Sequence, residues 1–90
     1  MEVHTMNIKT KYIFILHNLP NSAKKILDYL SEHGKKTQRE LINEMSIPTK
    51  SLRYTLRRLE EAELIQKGPN LYDLKSPFFK INPEILEEEE

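Results

Sequence analysis

Leu52, Leu56 and Leu59 recur at the spacing of one face of an α-helix, which advances about 100° per residue. The same wheel carries Lys50, Arg53, Tyr54 and Arg57 to the opposite stripe. The run IPTKSLRYTLRRLEEAELI, residues 47–65, therefore has one face that packs and one that points outward with three positive charges and a phenolic hydroxyl. Its cations, with Arg58 as a fourth, all precede its acids, Glu60, Glu61 and Glu63. Any fold containing this run must place a core against the leucines and leave the cations facing outward.

The neighbouring sequence supplies that core in short pieces. Pro20, Asn21 and Ser22 carry helix-start chemistry, and Ile26, Leu27 and Leu30 follow at helical spacing until Gly34, which predicts a first helix over residues 22–33. Thr37-Gln38-Arg39-Glu40 fits a capping box, in which hydroxyl and carboxylate each satisfy an otherwise unpaired N–H, so a second, short helix should begin there with Leu41, Ile42 and Met45 inward. Ser46-Ile47-Pro48 interrupts it, because proline disfavours helical geometry in the residue before it while being tolerated in a first turn. The third helix then covers about 49–63. Beyond it, 64–67 and 71–74 flank Gly68-Pro69-Asn70, which predicts a β-hairpin. The run 12–16, Tyr-Ile-Phe-Ile-Leu, is too continuously apolar to choose between buried strand and helix. Phe78, Phe79, Ile81, Ile85 and Leu86 form a last apolar segment before the acidic run 87–90.

Ninety residues suit one small domain and would be cramped for a substrate-enclosing enzyme. The expected organisation is a flanking segment over 1–19, a central domain over 20–75, and an apolar segment with acidic tail over 76–90. Formal charge is zero, yet residues 1–83 hold all 14 basic residues and only 9 of the acidic ones, an excess of five positive charges. With no cysteine there is neither a disulfide framework nor a thiolate metal site, and with no long apolar run there is no candidate membrane span; the expectation is a cytoplasmic protein.

Helix, short helix, tight turn, longer helix and hairpin, in that order, form a winged helix-turn-helix. The residues KKILDYLSEHGKKTQRELINEMSIPTKSLRYTLRRLEEAELIQK resemble the DNA-binding core of small bacterial and archaeal transcriptional regulators of the MarR and ArsR type. The likeness is strongest in SIPTKSLRYTLRRLEEAELI, with an apolar residue in the turn, a polar helix face and a leucine-rich ending that feeds the wing. The resemblance implies a mainly α fold with a small β-hairpin (α+β), three core helices plus wing, that binds double-stranded DNA with the third helix in the major groove. Two departures stand out: Glu63 occupies the place where many relatives have a helix-ending glycine, and the short hairpin loop has no arginine at its tip. A related winged helix that recognises left-handed DNA uses an asparagine and a tyrosine one turn apart, where this chain has Arg53 and Arg57.

The residues expected to face DNA are Thr49, Lys50, Ser51, Arg53, Tyr54, Arg57 and Arg58 on the third helix, Lys67 at the base of the wing, and Thr37 and Gln38 at the start of the second helix. Arginine's planar fork can donate two parallel hydrogen bonds to guanine N7 and O6, and the N-terminal part of a recognition helix enters deepest, so Lys50, Ser51 and Arg53 are the candidates for base edges. Tyr54, Arg57, Arg58 and Lys67 are expected on phosphates, as are the hydroxyl, amide and N–H groups of Thr37 and Gln38. The plainer reading makes the basic stripe a solvated face, with Arg57 or Arg58 paired to Glu60 or Glu61.

His4, His17 and His33 are scattered, and the two glycines lie in no glycine-rich motif, so neither metal, cofactor nor enzymatic chemistry is expected. No feature points to a small-molecule effector. The apolar segments 12–16 and 78–86 predict a homodimer unless they fold back on their own core. The acidic run 87–90 is expected to compete weakly with phosphate for the basic face. The alternative function is a winged helix used only for protein contacts within a transcription, replication or chromosome-organising complex.

Overall fold

Local capping rules place the helix ends, and the computed structural model, which describes residues 7–87, follows most of them. Helix α1 spans Thr10–His17, α2 Asn21–His33, α3 Gln38–Glu44 and α4 Thr49–Glu61. Strands β1, Lys36–Thr37, β2, Ile65–Gly68, and β3, Phe78–Ile81, form an antiparallel sheet in the order β1-β3-β2. A 3₁₀ turn at Pro83–Ile85 follows. The expected mainly α fold with a wing is the one observed.

The core is the meeting of one face from each of α2, α3 and α4 with the sheet. Ala23, Ile26, Leu27 and Leu30 of α2, Leu41 of α3, and Leu52, Leu56 and Leu59 of α4 are buried with Leu64, Ile65, Phe79 and Ile85. Between α2 and α4 the hydroxyls of Ser22 and Thr55 share a hydrogen bond of 2.7 Å, which lets the threonine sit inside the core. On the outer side Tyr29 of α2 donates to Glu44 of α3, and Lys36 of β1 lies 3.0 Å from the same carboxylate. The Tyr29 hydrogen bond, followed by that of Lys36, holds the Glu44 carboxyl below its ordinary range, while Glu44 raises both Tyr29 and Lys36.

The capping box is present in full: Thr37 Oγ1 accepts from the Glu40 N–H at 3.1 Å, and Glu40 Oε1 accepts from the Thr37 N–H at 2.9 Å. Helix α3 ends at Glu44 because the next residue, Met45, has an extended backbone, and α4 starts after Pro48, whose carbonyl accepts the Leu52 N–H at 2.9 Å. That is the turn expected from Ser46-Ile47-Pro48.

The third helix stops at Glu61, two residues before the expected end, and the reason is Glu63. Its φ is 62°, its N–H donates to the Glu60 carbonyl and the next N–H, of Leu64, reaches back to the Leu59 carbonyl at 3.0 Å. These are the two bonds of a Schellman ending, with buried Leu59 and Leu64 as its apolar pair, built on a residue type that is strained there. Asn82 holds the strained unit from outside, donating to the Glu63 carbonyl at 2.9 Å. Glu63→Gly is therefore expected to raise stability by up to about 1 kcal/mol, the relief of left-handed strain less the extra freedom of glycine in the unfolded chain. A lower thermal midpoint than that of the parent protein would show that the glutamate side chain is itself stabilising.

The wing departs from the sequence reading, and the run left open between strand and helix is decided. The strand paired with β2 is 78–81, not 71–74: Gly68 sits opposite Phe78 and Ile65 opposite Ile81. The wing loop is therefore the longer segment 69–77, not the short Gly68-Pro69-Asn70 turn. Asn70 explains the change, since its buried side chain accepts from the Tyr72 N–H and donates to the Ser76 carbonyl, both at 3.0 Å, turning the chain where a hairpin would run straight. The sheet thus runs through the domain boundary expected at residue 75. The run 12–16 is helical, with Tyr12 and Leu16 against the core and Ile13, Phe14 and Ile15 exposed.

The terminal segments close on each other. The Lys9 N–H donates to the Ile85 carbonyl at 2.8 Å, Ile8 bridges Leu86, and the Glu87 N–H donates to Asn7. The segment 76–86 therefore packs on its own core instead of standing free. The expectation placed on the acidic tail falls mainly on residues 88–90, outside the described residues.

Candidate nucleic-acid interface

Because α4 buries Leu52, Thr55, Leu56 and Leu59, its remaining stripe faces outward whatever lies beyond it. Thr49, Lys50, Ser51, Arg53, Tyr54 and Arg57 are exposed along it, and Arg58 is half-buried at its edge. Arg58 Nη1 donates to the Tyr54 hydroxyl at 2.7 Å, with the guanidinium carbon 5.7 Å from the ring centroid. The phenol accepts this bond and keeps its own O–H to donate, so Tyr54 and Arg58 act as one positioned donor pair.

Ion pairing does not consume the stripe. Arg58 is bound to Tyr54 and not to a glutamate, and Glu60 pairs with Lys67 of β2 at 3.6 Å. Among the described residues Lys50, Arg53 and Arg57 have no carboxylate within ion-pair distance. The pairing of Arg57 or Arg58 with Glu60 or Glu61 is absent there.

An open cleft lies between α3, the start of α4 and the wing, lined by Gln38, Arg39, Ile42, Asn43, Arg53, Lys67, Lys75, Ser76, Pro77 and Phe79. It brings Gln38, Arg53 and Lys67 together, three of the residues singled out from the sequence. It also adds Arg39 and Lys75, which the sequence reading missed. Arg39 lies inside the capping box, where attention to Thr37 and Glu40 hid it; Lys75 was hidden by the misplaced strand, which put it beyond the wing. Neither has an anionic partner among the described residues.

Thr37 is a correction. Its side chain is buried, and its hydroxyl both accepts the Glu40 N–H and donates to the Glu40 carboxylate at 3.2 Å, so it has no capacity left for a phosphate. It sets the start of α3, and the half-buried Gln38 beside it is the residue of that pair that reaches the cleft.

A family model described as winged helix-turn-helix DNA-binding matches residues 20–66, from the start of α2 into β2. The chain belongs to the winged helix-turn-helix DNA-binding family. The winged-helix fold is also that of a cysteine-to-serine mutant of MarR from E. coli, crystallised in complex with operator DNA. The two align with a TM-score of 0.67 and 22% identity, over 82% of this chain and 52% of that one. This chain thus spans about half the length of that relative. No curated protein matches this chain. Within the winged helix, α3 and α4 are the helix-turn-helix pair, and residues 65–81 are the wing. No helix of the described residues is long and apolar enough to cross a membrane.

Proposed function

We propose that the protein is a transcriptional regulator that lays the N-terminal half of α4 in the major groove of double-stranded DNA. The observation that carries this reading is a group of cations, Arg39, Lys50, Arg53, Arg57, Arg58 and Lys75, none with an anionic partner among the described residues, spread over α3, α4 and the wing of a winged helix. Lys50, Ser51 and Arg53 face base edges from the first turns of the helix, with Thr49 at its start. Tyr54 with Arg58, together with Arg57 farther along, hold one phosphate strand, and Gln38, Arg39, Lys67 and Lys75 hold phosphate in the cleft.

The test is binding to random-sequence duplex at several salt concentrations. Affinity should fall on a log–log plot with a slope of about −0.9 for each phosphate neutralised. Binding that is absent, or indifferent to salt, would leave the winged helix as a protein-contact module.

The protein acts as a homodimer, with a second copy on the α1 face formed by Ile13, Phe14 and Ile15. The support is the exposure of Phe14, 68%, beside two further apolar side chains on a helix already packed through Tyr12 and Leu16. A dimer would set DNA half-sites about 34–36 Å apart. A monomer mass that stays constant with concentration in light scattering rules this arrangement out.

A further inference from the structure

The wing tip carries an unusual surface for a loop. Leu71 is 84%, Tyr72 97% and Leu74 76% exposed, while most of the other large apolar side chains among the described residues are packed. The loop presenting them is internally fastened. Besides the two side-chain bonds of buried Asn70, the Asp73 N–H donates to the Asn70 carbonyl at 3.1 Å and the Ser76 N–H to the Asp73 carbonyl at 3.0 Å. The Asp73 carboxylate accepts from the Lys75 N–H and the Ser76 hydroxyl, both at 3.1 Å. The tip is therefore held in one shape before any partner arrives, which lowers the entropy lost on docking.

The position of the loop says which partner fits. Its two feet, Lys67 and Lys75, line the same cleft as Arg39 and Arg53, so a phosphodiester strand gripped there passes the base of the wing. One strand of a duplex separates the major groove from the minor groove. With α4 in the major groove, a projection standing beyond that strand meets the minor groove.

We propose that Leu71, Tyr72 and Leu74 are an apolar wedge that enters the minor groove beside the major-groove site and partly opens a base step. The inference rests on the DNA-binding reading of α4. The tip has no cation between Lys67 and Lys75 with which to read groove potential, and its one acid, Asp73, is engaged by the loop itself. What it offers the groove is apolar and aromatic surface, the chemistry that unstacks a step and kinks the duplex. Flexible pyrimidine–purine steps, TA above all, are the ones that yield most readily.

The experiment uses the full chain and a mixed-sequence duplex with 2-aminopurine at its TA steps, reading affinity by anisotropy and unstacking by 2-aminopurine fluorescence. The parent protein should raise the fluorescence on binding. The double variant Leu71→Ser with Tyr72→Ser should bind about tenfold more weakly without that rise, and with an unchanged salt slope because no cation is removed. Both side chains lie in solvent and the loop's hydrogen bonds come from other groups, so an unchanged thermal midpoint identifies the variant as folded. Binding by the parent protein with no fluorescence rise, or equal affinity and fluorescence for parent and variant, overturns the wedge and leaves the DNA reading standing. Equal DNA binding with a lower solution mass for the variant overturns it in favour of a protein contact at the tip. Failure of the parent protein to bind the duplex at low salt removes the DNA reading itself, and the wedge with it.

Discussion

Replacing Leu59 with alanine is expected to cost about 2–5 kcal/mol of stability, the range for a fully buried leucine whose cavity closes only in part. Leu59 has no exposed surface, lies in the core cluster on α4, and pairs with Leu64 in the ending that turns the chain into the wing. For a domain of this size net stability is of the order of 5–15 kcal/mol, so the loss is a large share and should lower the thermal midpoint by at least about 8 °C. The effect reaches function because the opposite face of the same helix carries Lys50, Arg53 and Arg57; a helix that loosens on its core side no longer holds those cations in one register. Thermal and urea unfolding check the stability term. A loss below about 1 kcal/mol would mean that the site collapses around the deletion and that α4 is anchored elsewhere.

Arg53→Ala is expected to cost about 1–3 kcal/mol of specific DNA binding and to relax preference at one base position, if the arginine reads a guanine from the first half of α4. Arg53 is exposed, and it also lines the cleft with Lys67 and Lys75. The alternative use of its guanidinium is therefore a phosphate grip. The two uses separate cleanly. A base reader changes which sequences a selection from random DNA returns, whereas a phosphate holder weakens all sequences alike and reduces the salt slope by about one. Arg58→Ala, which also removes the partner of the Tyr54 hydroxyl, should behave in the second way. If Arg53→Ala stays folded and alters neither affinity nor preference, the major-groove register assigned to α4 is wrong.

Most of what holds the reading together was legible from short-range chemistry. The leucine spacing of α4, the reciprocal bonds of Thr37 and Glu40 and the break at Pro48 each depend on residues within about one helical turn of one another, so they are decided before the chain has a tertiary structure. The outward stripe of α4 was legible for the same reason: a helix that buries Leu52, Leu56 and Leu59 has no choice about where Lys50, Arg53 and Arg57 go. Even the departure at Glu63 was visible as a missing glycine, although the left-handed backbone that it adopts, and the Asn82 bond that supports it, arise only in the tertiary structure.

The partner of β2 was decided only by tertiary structure. Strand pairing is non-local: 71–74 and 78–81 both carry strand-like residues, and the choice fell to Asn70, whose side chain folds the loop on itself, and to Phe79, which is buried in a core built mainly by α2, α3 and α4. The type of the run 12–16 was settled in the same way, since a continuous apolar sequence has no period to read and acquires one only when Tyr12 and Leu16 dock while Ile13, Phe14 and Ile15 do not. The cationic cleft had no sequence signature at all. Arg39, Arg53, Lys67 and Lys75 come from three elements far apart in the chain, and local spacing cannot encode a meeting that exists only after α3, α4 and the wing have packed on a shared core.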